Sequence, residues 1–338
     1  MTGPRFGVWA PVYGNHGARD HPEDAPDASY RRTRDLIVAA EAAGFDSTLV
    51  AQHVVHPSAV EDDVLETWST LAGLAEATSR IELIGAIKPL LFNPLVFAKL
   101  AGNIAEISDG RLSINVVSGW FLPELEALGI EVPEHDDRYV HTRQWLQTVT
   151  ALWAGKPVTI GGGDRQPALV RPAPAVVPPV YVGGESEPGR ALAAATADVF
   201  FINGRPFGDV VDVIDDLRSR PRDGAPLRFG LSAFVITRDT EEEALAELRH
   251  LQSLVDAERR PEISGGTDPK TQMYRVLADT SRVGSNGGTL AGLVGSHEQV
   301  AERIAMFHDA GIELFMLQFQ PLEAELHRFA EHIIPRFR

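Results

Sequence analysis

The sequence predicts an α/β protein, and specifically a closed (β/α)8 TIM barrel. Short apolar runs rich in β-branched residues alternate with helical patterns over almost the whole chain, and this alternation is typical of a parallel sheet. Eight such strand–helix units favour a closed barrel over an open, doubly wound sheet. Polar residues follow directly after apolar strands, at the end where barrels carry their functional groups. We therefore expect one barrel domain spanning residues 1–338.

The expected strands are short and apolar, and helical segments lie between or after them. Strands are predicted at Phe6–Val12, Ser47–Val50, Ile81–Ile87, Leu112–Val117, Val180–Val182, Val199–Ile202, Phe229–Ile236 and Leu314–Leu317. Helices are predicted at Tyr30–Ala43, Glu66–Ala77, Leu95–Ile107, Arg138–Trp153, Glu187–Thr196, Asp209–Arg218, Glu241–Asp256, Glu298–Asp309 and Leu322–Ile334. Gly44 stands directly after the first helix, where a glycine commonly ends a helix.

Three segments do not follow the alternation, and we expect them to be long loops. Residues 14–27 are polar and rich in proline and glycine, and should cover the mouth of the barrel. A proline-rich insertion at about 156–179 contains six prolines and a Gly-Gly-Gly run. A mobile lid is expected at about 260–292, which contains ISGGTDP and GSNGGT. Loops of this length in compact domains are usually functional or disordered.

Composition excludes several classes of function. The formal net charge of −16 at pH 7 argues against nucleic acid and anionic membranes as partners, because both bind basic surfaces. The chain has no cysteine, which removes disulfides, thiolate nucleophiles and Cys-type zinc sites. The N-terminal MTGPRFGVW does not resemble a signal peptide, and no apolar stretch approaches the roughly 20 residues of a membrane span. We expect a cytoplasmic globular protein.

The stretch from Asp109 to Tyr139 carries the densest set of candidate functional groups. Its apolar strand ends at Ser118, and a cluster of polar residues follows. A barrel strand would bring Asn115 and Ser118 to its carboxyl end, where α/β barrels keep their chemistry. A buried asparagine needs hydrogen-bond partners, which a ligand could supply, although structural asparagines at strand ends are equally common. The segment indicates a site-bearing enzyme.

A glycine pair marks a candidate anion site. In YVGGES, at 181–186, a strand ends in two glycines and a helix begins near Glu187. Glycines let an anion approach the backbone, and the N–H groups of a helix N-terminus can bind a phosphate. From the residues alone, a plain tight turn with Ser186 as N-cap is at least as plausible.

The motif EHDDRY, at 134–139, precedes another predicted helix. Asp136 could cap that helix, whose first turn favours acidic residues. Arg138 and Tyr139 add a guanidinium fork and a phenolic donor, a pair that suits a phosphate dianion. The capping function and the phosphate-binding function are compatible.

Gln52 and His53 follow the second strand, with His56 shortly after. A single histidine is more often structural than catalytic, but at a strand end it could relay a proton near neutral pH. A metal site of His16, His53 and His56 is the alternative. Metal-dependent barrel hydrolases need two strand-end histidines, often as His-x-His, with carboxylates. The chain has no His-x-His, and we expect no metal.

Several motifs, in order along nearly the whole chain, resemble those of the bacterial-luciferase-like flavin-dependent monooxygenases. NVVSGWF, EHDDRY, FFING and AFVITRDTEEEA are most similar to the dimethylsulfone monooxygenase branch. LAGLAEATSRIEL and GTLAGLVGS are similar to the related alkanesulfonate and pyrimidine monooxygenases. The resemblance implies use of reduced FMN (FMNH2) and dioxygen, with the flavin supplied by a separate NAD(P)H-dependent flavin reductase. It also implies a homodimer or homotetramer.

The resemblance assigns roles residue by residue. The FMN phosphate would be bound by Gly183, Gly184, Glu185, Ser186, Arg138 and Tyr139, and the flavin ring would be contacted by Gln52, His53, Asn115, Ser118 and Glu124. Catalytic roles would belong to His53, Asn115 and Asn203, as donors that stabilise an anionic oxygen adduct away from water.

The chain also departs from these branches. The family usually carries Ser or Gln at Glu185, and we expect its carboxylate to point away from a phosphate. The dimethylsulfone branch tends to have Ile-Arg at Gln52-His53. The alkanesulfonate branch carries cations where this chain has Ser232, Phe234 and Asn286, which argues against a sulfonate anion as substrate.

A small neutral substrate, such as a sulfone cleaved at its C–S bond, fits the sequence better. The candidate apolar walls are Trp9, Phe92, Trp120, Phe201 and Phe234, although aromatic residues at strand ends are more often core. Two alternatives remain open: a deazaflavin-dependent oxidoreductase of the same superfamily, and a non-catalytic flavin-binding homologue. A metal-dependent hydrolase ranks below both.

Overall fold

Eight parallel strands close into a barrel in the computed structural model, which describes residues 3–57, 61–119, 121–161, 165–258 and 282–338. The order around the barrel is β1-β10-β7-β6-β5-β4-β3-β2. The strands are β1 Arg5–Trp9, β2 Ser47–Val50, β3 Glu82–Ile87, β4 Leu112–Val116, β5 Val180–Val182, β6 Val199–Ile202, β7 Arg228–Phe234 and β10 Ile312–Gln318. The predicted TIM barrel is confirmed.

Two further strands pair with each other outside the barrel. They are β8 Ile236–Arg238 and β9 Val294–Ser296, which run parallel. The sequence predicted one strand over Phe229–Ile236, and that was wrong. The backbone N–H of Val235 bonds to Gln318 in the barrel, whereas that of Ile236 bonds to Leu293. The chain therefore changes sheets at this point.

The helices surround the barrel, and their ends follow local capping rules. They are α1 Tyr30–Ala42, α2 Thr67–Ala77, α3 Pro94–Ile107, α4 Leu122–Ala127, α5 His135–Trp153, α6 Glu187–Thr196, α7 Phe207–Ser219, α8 Glu241–Glu258, α9 His297–Ala310 and α10 Leu322–His332. Gly44 follows α1 with a φ of 97°, a conformation that glycine adopts without strain. No helix in the described ranges is long and apolar enough to cross a membrane.

The core fills the barrel and the layer between barrel and helices. Every residue of β2, β4 and β6 is buried, as expected for parallel strands covered on both faces. Each fully buried aromatic or aliphatic side chain, such as Phe6 or Phe200, contributes about 1.5–3 kcal/mol through removal of apolar surface from water. With the interior packed, the loops after the strands are left to form a site.

Two of the predicted loops can be followed in part. Residues 154–161 and 165–179 connect α5 to β5, with one isolated antiparallel bridge between Val158 and Ala168. Of the expected lid at 260–292, residues 260–281 lie outside the described residues. Residues 282–292 return to the barrel through a 3-10 turn at Gly288–Ala291.

Candidate functional site

A cavity opens at the carboxyl ends of the barrel strands. Its walls come from the ends of β1 to β6 and from the loop before β9. The described lining residues are Trp9, Tyr13, Leu49, Ala51, Gln52, His53, Pro57, Ala86, Lys88, Asn115, Val117, Ser118, Gly119, Tyr139, Gly183, Gly184, Glu185, Ser186, Phe201, Asn203, Ser285 and Asn286. The structure thus brings together most of the residues that the sequence singled out.

One corner of the cavity is built from the loop between β5 and α6. Ser186 is the N-cap of α6, yet its side chain makes no capping bond. Its buried Oγ has no hydrogen-bond partner in the part of the chain that the structure describes. A Cβ on Gly184 would lie 2.7 Å from the phenolic oxygen of Tyr139, so the tyrosine lies directly over the glycine backbone. A hydroxyl, a phenol and a helix N-terminus form a donor set suited to a phosphate.

Arg138 lies behind this corner, outside the lining. Its side chain is buried, and Nη1 donates to the carbonyl of Gly119 at 2.7 Å. The guanidinium therefore braces the loop that follows β4. Ser118, on the same loop, shares a hydrogen bond of 3.1 Å with Thr142 of α5. These contacts tie α5 to the loop after β4.

Glu185 is engaged by the protein itself. Its carboxylate forms an ion pair with Arg205 and accepts from the backbone N–H of Asn203 at 2.6 Å. Arg205 went unnoticed in the sequence, although it directly follows the FFING motif. The pair neutralises the negative charge next to the phosphate corner.

The middle of the cavity carries amide groups. Asn115 of β4 is 5% exposed, and its Oδ1 has no partner within the described ranges. Gln52 accepts from the backbone N–H of Lys88 at 2.6 Å through Oε1, so its side-chain N–H groups remain as donors. A ligand with a mixed edge of donors and acceptors would satisfy both side chains.

A buried charged cluster adjoins His53. Lys88, the residue after β3, forms an ion pair with Glu124 of α4, and its Nζ lies 3.4 Å from Nδ1 of His53. Glu124 is fully buried and lies behind the lining. The sequence analysis missed Lys88. The sequence does contain one indication of its role, since Lys88 is a single charged residue that directly follows the apolar strand IELIGAI.

The pKa of His53 lies well below its usual value, first because of burial and then because of the nearby positive charge of Lys88 and of His56. Burial also lowers the pKa of Lys88, while Glu124 opposes that change. His53 is therefore a neutral imidazole near pH 7. It is available as a hydrogen-bond donor or acceptor and not as a cation.

The apolar wall is smaller than the sequence indicated. Trp9 and Phe201 line the cavity, with their rings edge-to-face at 6.4 Å. Phe92 is not among the described lining residues; it packs on Phe97, because the 3-10 turn at Pro89–Leu91 carries it away from the strand end. Phe234 packs in a separate apolar cluster with Ile236 and Leu251, where the chain leaves the barrel. Trp120 lies outside the described residues.

Tyr13 and Ser285 complete the lining and were not expected from the sequence. Burial raises the pKa of Tyr13 to about 12 despite a hydrogen bond from its side chain to Ser285, so the phenol keeps its proton. Ser285 and Asn286 belong to the described part of the expected lid and reach the cavity.

The family model of luciferase-like monooxygenases matches residues 5–314. The chain belongs to this family. The prediction from the sequence motifs is confirmed, and the protein is a luciferase-like monooxygenase.

Curated and solved relatives agree with this assignment. The chain is 28% identical over 347 residues to an FMNH2-dependent dimethylsulfone monooxygenase of Pseudomonas fluorescens (strain Pf0-1), covering 99% of this chain and 94% of the relative. The fold is shared with the long-chain alkane monooxygenase LadA, with a TM-score of 0.79 and 20% identity over 99% of this chain and 91% of the other. It is also shared with DmoA from Hyphomicrobium sulfonivorans, with a TM-score of 0.76 and 18% identity over 100% and 88%.

The cavity of this luciferase-like monooxygenase has balanced charges. Among the described lining residues, the charged ones are Lys88, which pairs with Glu124, and Glu185, which pairs with Arg205. His53 is neutral. No described lining residue therefore presents an uncompensated charge to a ligand. Within the same residues, no group of three histidines or carboxylates is arranged to hold a metal ion.

Proposed function

We propose that this luciferase-like monooxygenase is the oxygenase component of a two-component system that oxidises a small, neutral organosulfur molecule. Reduced FMN is its cofactor, as the sequence motifs predicted; the curated relatives are FMNH2-dependent monooxygenases. The observation that carries the proposal is that a phosphate-type donor set and the amide oxygen of Asn115, which has no partner among the described residues, lie in one cavity at the carboxyl end of the barrel.

The residues present fit FMN. The unpartnered hydroxyl of Ser186, the phenol of Tyr139 and the close approach allowed by Gly184 suit the phosphate. Asn115 and Gln52 suit the polar edge of the flavin ring, whose carbonyls and N–H groups need both donors and acceptors. When bound, reduced FMN supplies the two electrons and the oxygen chemistry, and the protein supplies orientation and exclusion of water.

His53 and Asn203 would act beside the flavin ring. His53 lines the cavity as a neutral imidazole and can donate a hydrogen bond to negative charge on oxygen. Such donors are most effective in a site that excludes water, because the local dielectric constant is low. Asn203, whose backbone N–H is fixed by Glu185, would contribute its side-chain amide.

A neutral substrate is supported by the balanced charges of the cavity. An anion would need a cation or several donors to replace its water, and the cations at this cavity are already paired. The indole N–H of Trp9 has no acceptor within the described ranges, and a sulfone oxygen would provide one. The curated relative is a dimethylsulfone monooxygenase. We therefore propose a sulfone, with oxidation leading to C–S cleavage.

The partners follow from this chemistry. One oxygen atom of dioxygen enters the substrate and the other leaves as water, which consumes two electrons. A separate NAD(P)H-dependent flavin reductase would supply them as reduced FMN. FMN must then exchange between two proteins, so the protein should be purified largely colourless. Self-association as a dimer or tetramer belongs to the same proposal.

An anaerobic titration of the protein with reduced FMN tests the proposal, followed by rapid mixing with oxygenated buffer. We expect saturable binding and a transient absorbance distinct from those of reduced and oxidised FMN. A panel of sulfones, sulfonates and thioethers would then be screened for substrate-dependent product. Ser186→Ala tests the phosphate contact, since it should weaken binding without altering the ring site.

Three results would change the conclusion. Absence of reduced FMN binding would overturn the phosphate site at Tyr139 and Ser186. Turnover that is independent of dioxygen, with a deazaflavin as hydride carrier, would replace the monooxygenase with a deazaflavin-dependent oxidoreductase. Binding without any oxidised product across the panel would favour a non-catalytic flavin-binding protein.

A further inference from the structure

Three titratable side chains from separate elements meet at the cavity wall, two of them in the lining and one behind it. Lys88 follows β3, Glu124 lies in α4, and His53 follows β2. Their exposed fractions are 3%, 0% and 8%. Charges this deeply buried are costly unless they are paired and hydrogen-bonded. The proposed flavin contacts do not account for this cluster.

The ion pair in this cluster is completed by a backbone group. Glu124 Oε2 accepts from Nζ of Lys88, and Glu124 Oε1 accepts from the backbone N–H of Val54 at 2.6 Å. Val54 is the residue after His53, so the carboxylate also fixes the loop that carries the imidazole. Both carboxylate oxygens thus have a donor.

The position of Lys88 also bears on which nitrogen of His53 carries the proton. Its Nζ lies 3.4 Å from Nδ1 of His53. An ammonium group has donors only, so Nδ1 must be the acceptor. In a neutral imidazole, one nitrogen accepts while the other carries the proton. The proton of His53 is then on Nε2.

A competing arrangement is possible in the same cluster. Glu124 Oε1 lies 3.7 Å from Nδ1 of His53, beyond hydrogen-bond distance, and already accepts from Val54. If Lys88 were absent, that carboxylate would attract a proton on Nδ1. Polar groups near the imidazole in the described ranges include His56 on the same loop and Tyr13 after β1, whose ring lies 6.2 Å away.

We propose that Lys88 is a positioning residue: held by Glu124, it binds Nδ1 of His53 and thereby keeps the proton on Nε2 of a neutral imidazole. The side chain then meets the cavity as a hydrogen-bond donor that carries no charge. The use of this donor next to the flavin rests on the proposed function. The tautomer itself does not.

The imidazole nitrogens can be observed directly, without flavin. Protein labelled with 15N-histidine would be studied by long-range 1H–15N NMR, with His53→Gln to assign the signals. In the parent protein we expect an accepting Nδ1 and a protonated Nε2 between pH 8 and pH 6. In Lys88→Met, the buried Glu124 loses its cation. His53 should then carry a proton on Nδ1, and the midpoint of its titration should move upward.

Two further variants keep the result decisive if Lys88→Met does not fold. Lys88→Met/Glu124→Leu replaces the ion pair by apolar residues, an exchange that proteins often tolerate. In this variant the 15N chemical shift of Nδ1 should move away from the value of a nitrogen that accepts a hydrogen bond. Lys88→Arg, which also has donors only, should restore the parent tautomer. Lys99→Met, at an exposed lysine whose Nζ donates to the carbonyl of Arg171, is the matched control.

Turnover gives the second readout. Lys88→Met should lower kcat most above the raised titration midpoint of His53, where the neutral imidazole carries its proton on Nδ1 and Nε2 has none to donate. It should recover part of kcat as the pH falls and Nε2 is protonated again. The affinity for reduced FMN should change less than about twofold, because the phosphate corner is elsewhere. A proton on Nδ1 in the parent, or unchanged signals in Lys88→Met/Glu124→Leu, would overturn the inference. If the tautomers are those expected but the protein shows no FMNH2-dependent turnover, the proposed function is overturned and this inference still holds.

Discussion

Replacement of Gly184 by alanine gives the sharpest test of the phosphate corner. The new Cβ would lie 2.7 Å from the phenolic oxygen of Tyr139 and 3.0 Å from its Cε1. Real Cβ atoms almost never approach closer than 3.0 Å, and ordinary contact begins at 3.4 Å. The phenol must therefore retreat by about 0.7 Å, because the loop cannot: a Cβ on Gly189 of α6 would lie 2.2 Å from the carbonyl of Gly184, so the backbones are already in contact.

The strain gives the expected size of the effect. Overpacking of a well-packed site costs about 1–3 kcal/mol, and each 1.4 kcal/mol is a factor of about ten in affinity. Gly184→Ala should therefore weaken reduced FMN binding by roughly 5- to 150-fold, by displacing a phosphate donor. The loss in melting temperature should be small if the phenol yields in the flavin-free protein.

The assay is anaerobic titration with reduced FMN, with thermal unfolding of the same samples. Gly208→Ala is the matched control, because no atom lies within 4 Å of the Cβ it would add. In the Tyr139→Phe background, the closest contact disappears with the phenolic oxygen. There Gly184→Ala should add little, since the two changes act on one contact and are not additive. Unaltered affinity in Gly184→Ala would refute the assignment of this loop.

Three further predictions concern caps and charges. Ser186→Ala should weaken FMN binding about tenfold, or about 1.4 kcal/mol. Its stability should be unchanged, because the hydroxyl of Ser186 makes no capping bond. The control is Ser296→Ala, which breaks the capping box of α9 and should lower the free energy of unfolding by about 1 kcal/mol without altering FMN binding. Burial lowers the pKa of His16 from 6.5 to about 4, so the unfolded chain binds the proton first as the pH falls. The free energy of unfolding should then decrease between pH 6.5 and 4, by up to about 3 kcal/mol from this group, and urea denaturation should show a shallower decrease for His16→Gln. Arg205→Met should weaken FMN binding by leaving Glu185 as an unpaired carboxylate beside the phosphate, and adding Glu185→Gln should restore most of the affinity; a double variant as weak as the single one would contradict this.

The parts of the site that the sequence predicted are those fixed by topology. The carboxyl ends of parallel strands converge at one end of a barrel. Asn115, Gln52, His53 and the loop at 183–186 could therefore be expected to meet, and the structure brings all of them to one cavity. Strand boundaries at β2, β5 and β6 followed from short β-branched runs between clear helices.

The parts that the sequence analysis missed depend on contacts between distant residues. Nothing local to Lys88 or Arg205 indicates that each will meet a carboxylate from another element. The sequence also does not determine which face of the sheet a side chain at a strand end points to, because successive residues point to opposite sides and the exact end of a strand is uncertain from the sequence. Phe234 illustrates this: it ends β7 but packs on Ile236 and Leu251, in a cluster created by the change of sheet.

The parallel pairing of β8 with β9 has a consequence for how this family can diversify. The chain leaves the barrel through Ile236–Arg238 and returns through Val294–Ser296, which pair in parallel, so the connection between them crosses from one end of this two-stranded sheet to the other. The described ends of this excursion also contact the barrel: the backbone N–H of Gly204 donates to the carbonyl of Asn286, and the backbone N–H of Ser285 donates to the side chain of Gln318. Evolution, or an engineer, can therefore vary the chain between α8 and Ser285 while these contacts hold the ends of the excursion on the barrel. New substrate ranges can therefore arise there while the phosphate corner and the Lys88 cluster, which are built from other loops, stay as they are.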